Sequence, residues 1–195
     1  MSINPAPLKL EIILGSVREG RFGPTVGNWY LEQARQHGGF EVGYLDLADF
    51  TIPNEFAAHP HRDEFARRLE AADAVVIITP EYNHSFPGYL KTAIDAVPKS
   101  AWSAKPVAFV SYGGMSGGLR AVEPLRGVFP EIHAMTIRET VSFHGARDQF
   151  TAEGQPVNPD GVNTAARLQL DQLEWWALAL RDARALRPYG QKVTA

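Results

Sequence analysis

The chain has 195 residues, a formal charge of −3 and no cysteine. The missing cysteine excludes disulfides, thiolate metal sites and a thiol nucleophile, so redox chemistry here would belong to a bound cofactor. A near-neutral charge carries no basic footprint for nucleic acid, and no stretch approaches the roughly 18 consecutive apolar residues that span a membrane.

In chain order, Met1 to Pro7 has neither a basic start nor an apolar signal core, which predicts a cytoplasmic protein. Leu8 to Leu14 reads as a buried strand, followed by a glycine-rich turn and a helix from Pro24 to His37 with Val26, Trp29, Tyr30 and Ala34 on one face. Glu41 to Asp46 reads as a second strand, Asp63 to Ala71 as a short helix with Phe65 and Leu69 inward, and Ala74 to Ile78 as a third strand. Tyr89 to Ala96 is expected to be helical, Pro106 to Ser111 a fourth strand, and Gly117 to Phe129 a helix with Leu119, Val122, Leu125 and Phe129 as its apolar side. Pro124 predicts a kink there, because a proline inside a helix removes a hydrogen bond. Ile132 to Ile137 is expected as the fifth strand and Gln149 to Asn163 as a loose segment. Asn163 would cap a last helix from Thr164 to Ala185, with Ala166, Leu170, Leu173, Ala177 and Leu180 facing the sheet. Short apolar strands alternating with amphipathic helices imply right-handed crossovers, hence an α/β protein with a parallel sheet covered on both faces. No long Ser- or Gly-rich linker divides the chain, so residues 1–195 read as one domain.

Ligands of such sheets bind beyond the carboxyl ends of the strands, where three unusual loops fall. Gly15 to Gly23 joins glycines to Ser16 and Arg18 ahead of a helix N-terminus, which suits a phosphate. It departs from the triphosphate loop, since Arg21-Phe22 replaces the lysine and hydroxyl residue that motif needs, and the dinucleotide glycine triplet is missing too. Pro80 to Gly88 is bounded by Pro80 and Pro87; between them Tyr82 offers a flat face and the amides of Glu81 to His84 are free to donate, as a planar ring bearing carbonyls would require. Ser111 to Gly118 contains Gly114-x-Ser116-x-Gly118, the pattern of a hydrolase nucleophile elbow, but the downstream order of acid and His144 suits a triad poorly. Its glycines read instead as close backbone approach to a flat ligand. His59, His61 and Asp63 read as solvated or capping residues rather than a metal set, Trp175-Trp176 as core or subunit-contact packing, and His84 as a proton donor only if a partner accompanies it.

At Leu14-Gly15-Ser16-Val17-Arg18, at Thr79 to Gly88 with Leu90-Lys91 and Ala93-Ile94-Asp95, and at Ser111 to Gly114 with Ser116 to Gly118, the sequence resembles the NADPH-dependent FMN reductase family of flavodoxin-like quinone, azo-dye and chromate reductases. The resemblance implies one flavodoxin-like FMN-binding domain with a five-stranded parallel sheet of order 2-1-3-4-5, and a homodimer or homotetramer. It implies that Ser16, Arg18, Phe22 and Gly23 hold the FMN phosphate, that Pro80, Glu81, Tyr82 and Asn83 line the isoalloxazine, and that Ser111, Gly113 and Gly114 meet its other polar edge. NADPH or NADH would be the hydride donor and a quinone, azo compound, metal oxyanion or free flavin the acceptor, with no catalytic side chain and no metal. The rival from another class is a flavodoxin-type electron carrier; such carriers are strongly acidic with a hydroxyl-rich phosphate loop, unlike this chain with Arg18. A flavin-free subunit of the same fold is a second alternative, against which the intact glycines and Tyr82 argue.

Overall fold

The computed structural model describes residues 6–53 and 58–190. Five strands, β1 Leu8–Leu14, β2 Phe40–Asp46, β3 Ala74–Pro80, β4 Pro106–Tyr112 and β5 Met135–Phe143, form one sheet of order β2-β1-β3-β4-β5. Every neighbouring pair is parallel. The helices are α1 Gly23–His37, α2 Pro60–Ala71, α3 Gly88–Asp95, α4 Leu119–Glu131 and α5 Pro159–Leu186.

Side chains alternate across a strand, so the apolar runs supply two cores at once. Leu10, Ile12, Val76, Ile78, Ala108 and Val110 face a cluster shared with Trp29, Tyr30 and Leu170 of α1 and α5. Ile13, Val75, Ile77, Val107 and Phe109 face the opposite cluster with Phe65, Leu90 and Phe129 of α2, α3 and α4. Each such fully buried side chain contributes about 1.5–3 kcal/mol relative to exposure. Lys105, buried just ahead of β4, donates to the carbonyls of Leu69 and Glu70 at the carboxyl end of α2. Burial pulls its pKa down to about 8.

Helix α2 begins at Pro60, ahead of the expected Asp63, and other boundaries differ further. Residues 132–134 are not strand: the amides of Ile132 and Ala134 turn back to the Phe129 carbonyl, His133 takes φ 65°, and β5 continues to Phe143. The segment expected to be loose is ordered from Phe150, which pairs with Pro156 and packs into the α1–α5 core. The last helix begins at Pro159, so Asn163 lies inside it and accepts from Trp29 Nε1 at 3.0 Å instead of capping. Helix α4 is continuous through Pro124 and Pro130, while Leu119 is 42% exposed rather than inward. His59 caps α2, its Nδ1 accepting from the His61 amide, and His61 Nδ1 accepts from the Thr51 amide. Trp176 packs against the core, whereas Trp175 is 62% exposed.

The β4–β5 register slips, because Thr136 pairs with Val107 but Thr140 with Phe109. Such a bulge strands backbone groups. Gln169, fully buried on α5, donates from Nε2 to the carbonyls of Phe109 (2.8 Å) and Glu139 (3.1 Å) and accepts the Tyr30 hydroxyl at 2.7 Å. From the other face, Arg126 of α4 donates to the carbonyls of Ile137 and Arg138. Gln169→Leu leaves a buried hydroxyl and a buried carbonyl unpaired and is expected to cost about 2–4 kcal/mol of stability, read by urea unfolding. Adding Tyr30→Phe removes the stranded hydroxyl and should recover part of that loss; a purely additive double variant would refute the coupling.

Candidate functional site

The loops after β1, β3 and β4 and the segment after β5 meet at one end of the sheet and enclose a cleft of about 460 Å³. It lies where the strand order reverses between β1 and β3.

Directly after β1, the Gly15 amide donates to the Ile78 carbonyl and Ser16 is fully buried. The Ser16 and Tyr82 hydroxyls are 2.7 Å apart and share a hydrogen bond. Arg21 borders the cleft, but its guanidinium is engaged by protein groups. It donates to the Ser16 carbonyl and makes two parallel bonds to Asp46 at the end of β2, at 2.7 and 2.6 Å, which fixes the curl of the loop. Helix α1 then opens with Gly23-Pro24, and Phe22 at its cap position supplies no side-chain cap. The amides of Phe22 and Gly23 have no hydrogen-bond partner among the described residues and no acidic side chain occupies the first turn, leaving the positive helix end open. Gly23 is required by space as well, since a Cβ there would come within 2.7 Å of Tyr112 Oη.

The loop after β3 is a two-residue hairpin. Tyr82 and Ser85 exchange backbone hydrogen bonds of 2.8 and 3.1 Å, while Asn83 (φ 49°) and His84 (φ 68°) occupy the left-handed region. The Tyr82 amide is therefore spent inside the hairpin, contrary to the expectation that it is free. Arg18 lies over the Tyr82 ring with Cζ 3.8 Å from the centroid, so one face of the expected flat platform already carries a guanidinium. Asn83 and His84 are exposed at the hairpin tip, and the His84 side chain has no hydrogen-bond partner among the described residues.

The loop after β4 is braced from within. Ser111 is fully buried, and its hydroxyl donates to the Gly117 carbonyl at 2.8 Å. Gly113 and Gly114 line the cleft, and a Cβ on Gly113 would meet the Gly118 amide at 3.2 Å. Ser116 donates to Glu81, whose other oxygen lies 3.5 Å from Arg120. This serine is thus paired with a carboxylate and not with a histidine; His144 Nδ1 instead faces the Met115 carbonyl at 3.1 Å. The Ser116 hydrogen bond, ahead of the charge of Arg120, holds the Glu81 carboxyl below its ordinary value. Burial pushes the Tyr112 hydroxyl well above its own. Ser16 is close enough to Tyr112 to offset that slightly, yet its defined bond goes to Tyr82, and Tyr112 Oη is buried without a hydrogen-bond partner among the described residues.

The fourth wall was not anticipated from sequence. The amides of Gly145 and Ala146 donate to the carbonyls of Gly114 (2.8 Å) and Gly113 (3.0 Å), which brings Gly145, Ala146, Arg147 and Asp148 to the cleft. Ending the fifth strand at Ile137 concealed this loop, although Val141 and Phe143 continue an alternating buried pattern up to His144-Gly145-Ala146. Of the residues singled out in the sequence, Arg18, Phe22, Pro80, Glu81, Tyr82, Gly113 and Gly114 line the cleft. Ser16, Gly23 and Ser111 are buried around it, and Asn83 lies at the hairpin tip beside it.

Residues 8–148 match the profile of the NADPH-dependent FMN reductase family. The chain belongs to that family. It is accordingly an oxidoreductase with FMN as its flavin. An NAD(P)H:quinone oxidoreductase of Solanum tuberosum is 32% identical over 187 residues, covering 89% of this chain and 94% of that protein. An NAD(P)H-dependent FMN reductase of Schizosaccharomyces pombe is 31% identical over 121 residues, which are 56% of this chain and 60% of the relative's own length. Among solved structures, the flavoenzyme NAD(P)H:(acceptor) oxidoreductase of Paracoccus denitrificans superposes with a TM-score of 0.71 at 22% identity, over 88% of this chain and 98% of that one, which shows a common fold.

For a family that handles FMN, the cleft has a suitable donor set: an open helix N-terminus beside Arg18 for a phosphate, and a side-chain-free wall at Gly113-Gly114 for a flat ring. The Glu81–Ser116 bond ties the second and third loops together. Since the folded-state pKa of Glu81 is lowered, this tie is complete above the ordinary carboxylate pKa and is lost as pH falls through the lowered value. Ser116→Ala is expected to raise the Glu81 titration midpoint toward the ordinary glutamate value, measured by carboxyl carbon NMR; an unchanged midpoint would remove Ser116 as the cause.

Proposed function

We infer that this chain is an FMN-dependent NADPH oxidoreductase whose cleft receives NADPH and a small-molecule electron acceptor in turn, the acceptor being a quinone, an azo compound, a metal oxyanion or free flavin. The observation that carries the reading is the pairing, across one cleft, of the open α1 N-terminus and Arg18 with the Gly113-Gly114 backbone wall. FMN, when bound, supplies the two-electron carrier chemistry, so the protein's task is placement and electrostatics.

Arg18 and the unpartnered amides at the start of α1 would bind the phosphate, with Phe22 and Gly23 shaping that end. Gly23 allows α1 to approach the cleft floor, and Ser16 acts through Tyr82 by holding its hydroxyl. Pro80, Glu81, Tyr82 and Asn83 would border the ring on one side, with Gly113 and Gly114 opposite. Ser111 would keep the glycine loop in shape through its bond to the Gly117 carbonyl. Hydride chemistry carried by the flavin asks for no side-chain nucleophile or base. Exposed Met115 (91%) and Leu119 (42%), close to the cleft on the third loop and the start of α4, favour burial against a second copy, and so a homodimer or homotetramer.

The deciding measurement is the absorbance spectrum of protein supplemented with FMN and desalted, before and after anaerobic NADPH. Retained flavin bands that bleach are expected; retained bands that do not bleach would instead indicate an electron carrier, and no bands would defeat the FMN reading. Arg18→Ala is expected to weaken FMN binding at least tenfold, the loss of a charge-assisted contact worth about 1.5–3 kcal/mol, with an unchanged urea midpoint. Gly113→Val should abolish flavin retention, because branched carbons would fill the wall; a wild-type flavin spectrum from either variant would refute the corresponding assignment.

A further inference from the structure

The first loop has few free means of holding a phosphate. Ser16 is fully buried and its hydroxyl is engaged with Tyr82. Both terminal nitrogens of Arg21 are bound to Asp46. That leaves the amides opening α1 and the guanidinium of Arg18, which stacks on the Tyr82 side of the cleft.

Arg147 faces the same place from the opposite wall. Its guanidinium Cζ is 5.5 Å from the centroid of the Phe22 ring, the residue immediately before α1, and it lines the cleft with no carboxylate partner among the described residues. Its backbone is preset. Gly145 and Ala146 are bonded to the third loop, Asp148 N bonds the Gly145 carbonyl, and Phe150 packs edge-on against Phe22 with centroids 5.6 Å apart. The exposed side chain thus projects from a turn held by backbone bonds, and holding the turn in advance lowers the cost of ordering it on a ligand.

The geometry points to Arg147 as the second arm of a phosphate clamp: the terminal phosphate of the flavin is gripped by Arg18 from one wall and Arg147 from the other, above the open α1 N-terminus. This rests on the reading of the cleft as the FMN site. Glu19 and Asp148 also border the cleft, so net charge is not what selects the ligand. Selection comes from directed guanidinium forks, whose planar donors match phosphate oxygens.

Riboflavin carries the same ring without the phosphate and separates the clamp from everything else in the site. Dissociation constants for FMN and for riboflavin are measured by flavin fluorescence with the flavin-stripped protein. Arg147→Ala should weaken FMN tenfold or more and riboflavin less than twofold, and Arg147→Lys, which retains charge but not the fork, should fall between. Raising ionic strength should narrow the FMN difference between wild type and Arg147→Ala. Unchanged FMN affinity would overturn the clamp, as would an equal loss for both flavins, which would mean that Arg147 only supports the turn. Wild-type protein that binds FMN and riboflavin equally would overturn the clamp together with the phosphate role of Arg18 while leaving the ring site standing, and wild-type protein that binds neither would overturn the FMN site itself.

Discussion

Strand β1 has parallel partners on both sides, β2 and β3. Parallel strands are joined by right-handed crossovers, and because β1-α1-β2 moves one way across the sheet while β2-α2-β3 moves back the other way, the two connections pass over opposite faces. Helix α1 covers one face and α2 the other, and the loops at the carboxyl ends of β1 and β3 are drawn apart. Strand ends cannot close over the gap without losing the two cores. The cleft is therefore a consequence of topology, and the residues around it are free to be chosen for a ligand because packing does not need them.

What keeps the gap in one shape is a set of polar ties between elements. Arg21 anchors the first loop to Asp46 of β2, Ser16 joins it to Tyr82 of the hairpin, Ser116 joins Glu81 to the glycine loop, and Gly145-Ala146 joins that loop to the segment after β5. Each wall is thus held by a neighbouring wall. The fourth wall follows β5, whose bulge sets the register in which it leaves the sheet, and Gln169 and Arg126 satisfy carbonyls at that bulge. A buried glutamine distant in sequence from the cleft in this way helps to set where Arg147 stands.

The legibility of the sequence followed the same division. Strands buried on both faces announce themselves as continuous apolar runs, and β1, β3 and β4 were readable nearly to the residue. At the edge of the sheet β5 is interrupted by Arg138-Glu139, which are tolerated because the bulge turns them outward, so its apolar pattern broke at Ile137. The three glycine- and proline-rich loops were legible because their composition is unsuited to simple connectors. Pairwise facts were not. Nothing local indicates that Arg21 will meet Asp46 or that Ser16 will be covered by Tyr82, and a polar residue on the inner face of α5, Gln169, looks like an exception until the bulge it serves is seen.

The charges in the cleft are arranged so that neutral pH does not alter them. Glu81 is held ionised below the ordinary carboxylate range by Ser116, and Tyr112 is held protonated by burial. The guanidiniums of Arg18, Arg21 and Arg147 border the same cleft. A redox site in which the ligand's own charge changes during turnover gains from surroundings whose charge is constant, because the preorganised dipoles and cations then do not have to be rebuilt at each half-reaction. Buried hydrogen bonds that fix the loops and fixed charges that face the ligand are, at this cleft, the same set of contacts: Ser116 both closes the wall and keeps Glu81 anionic.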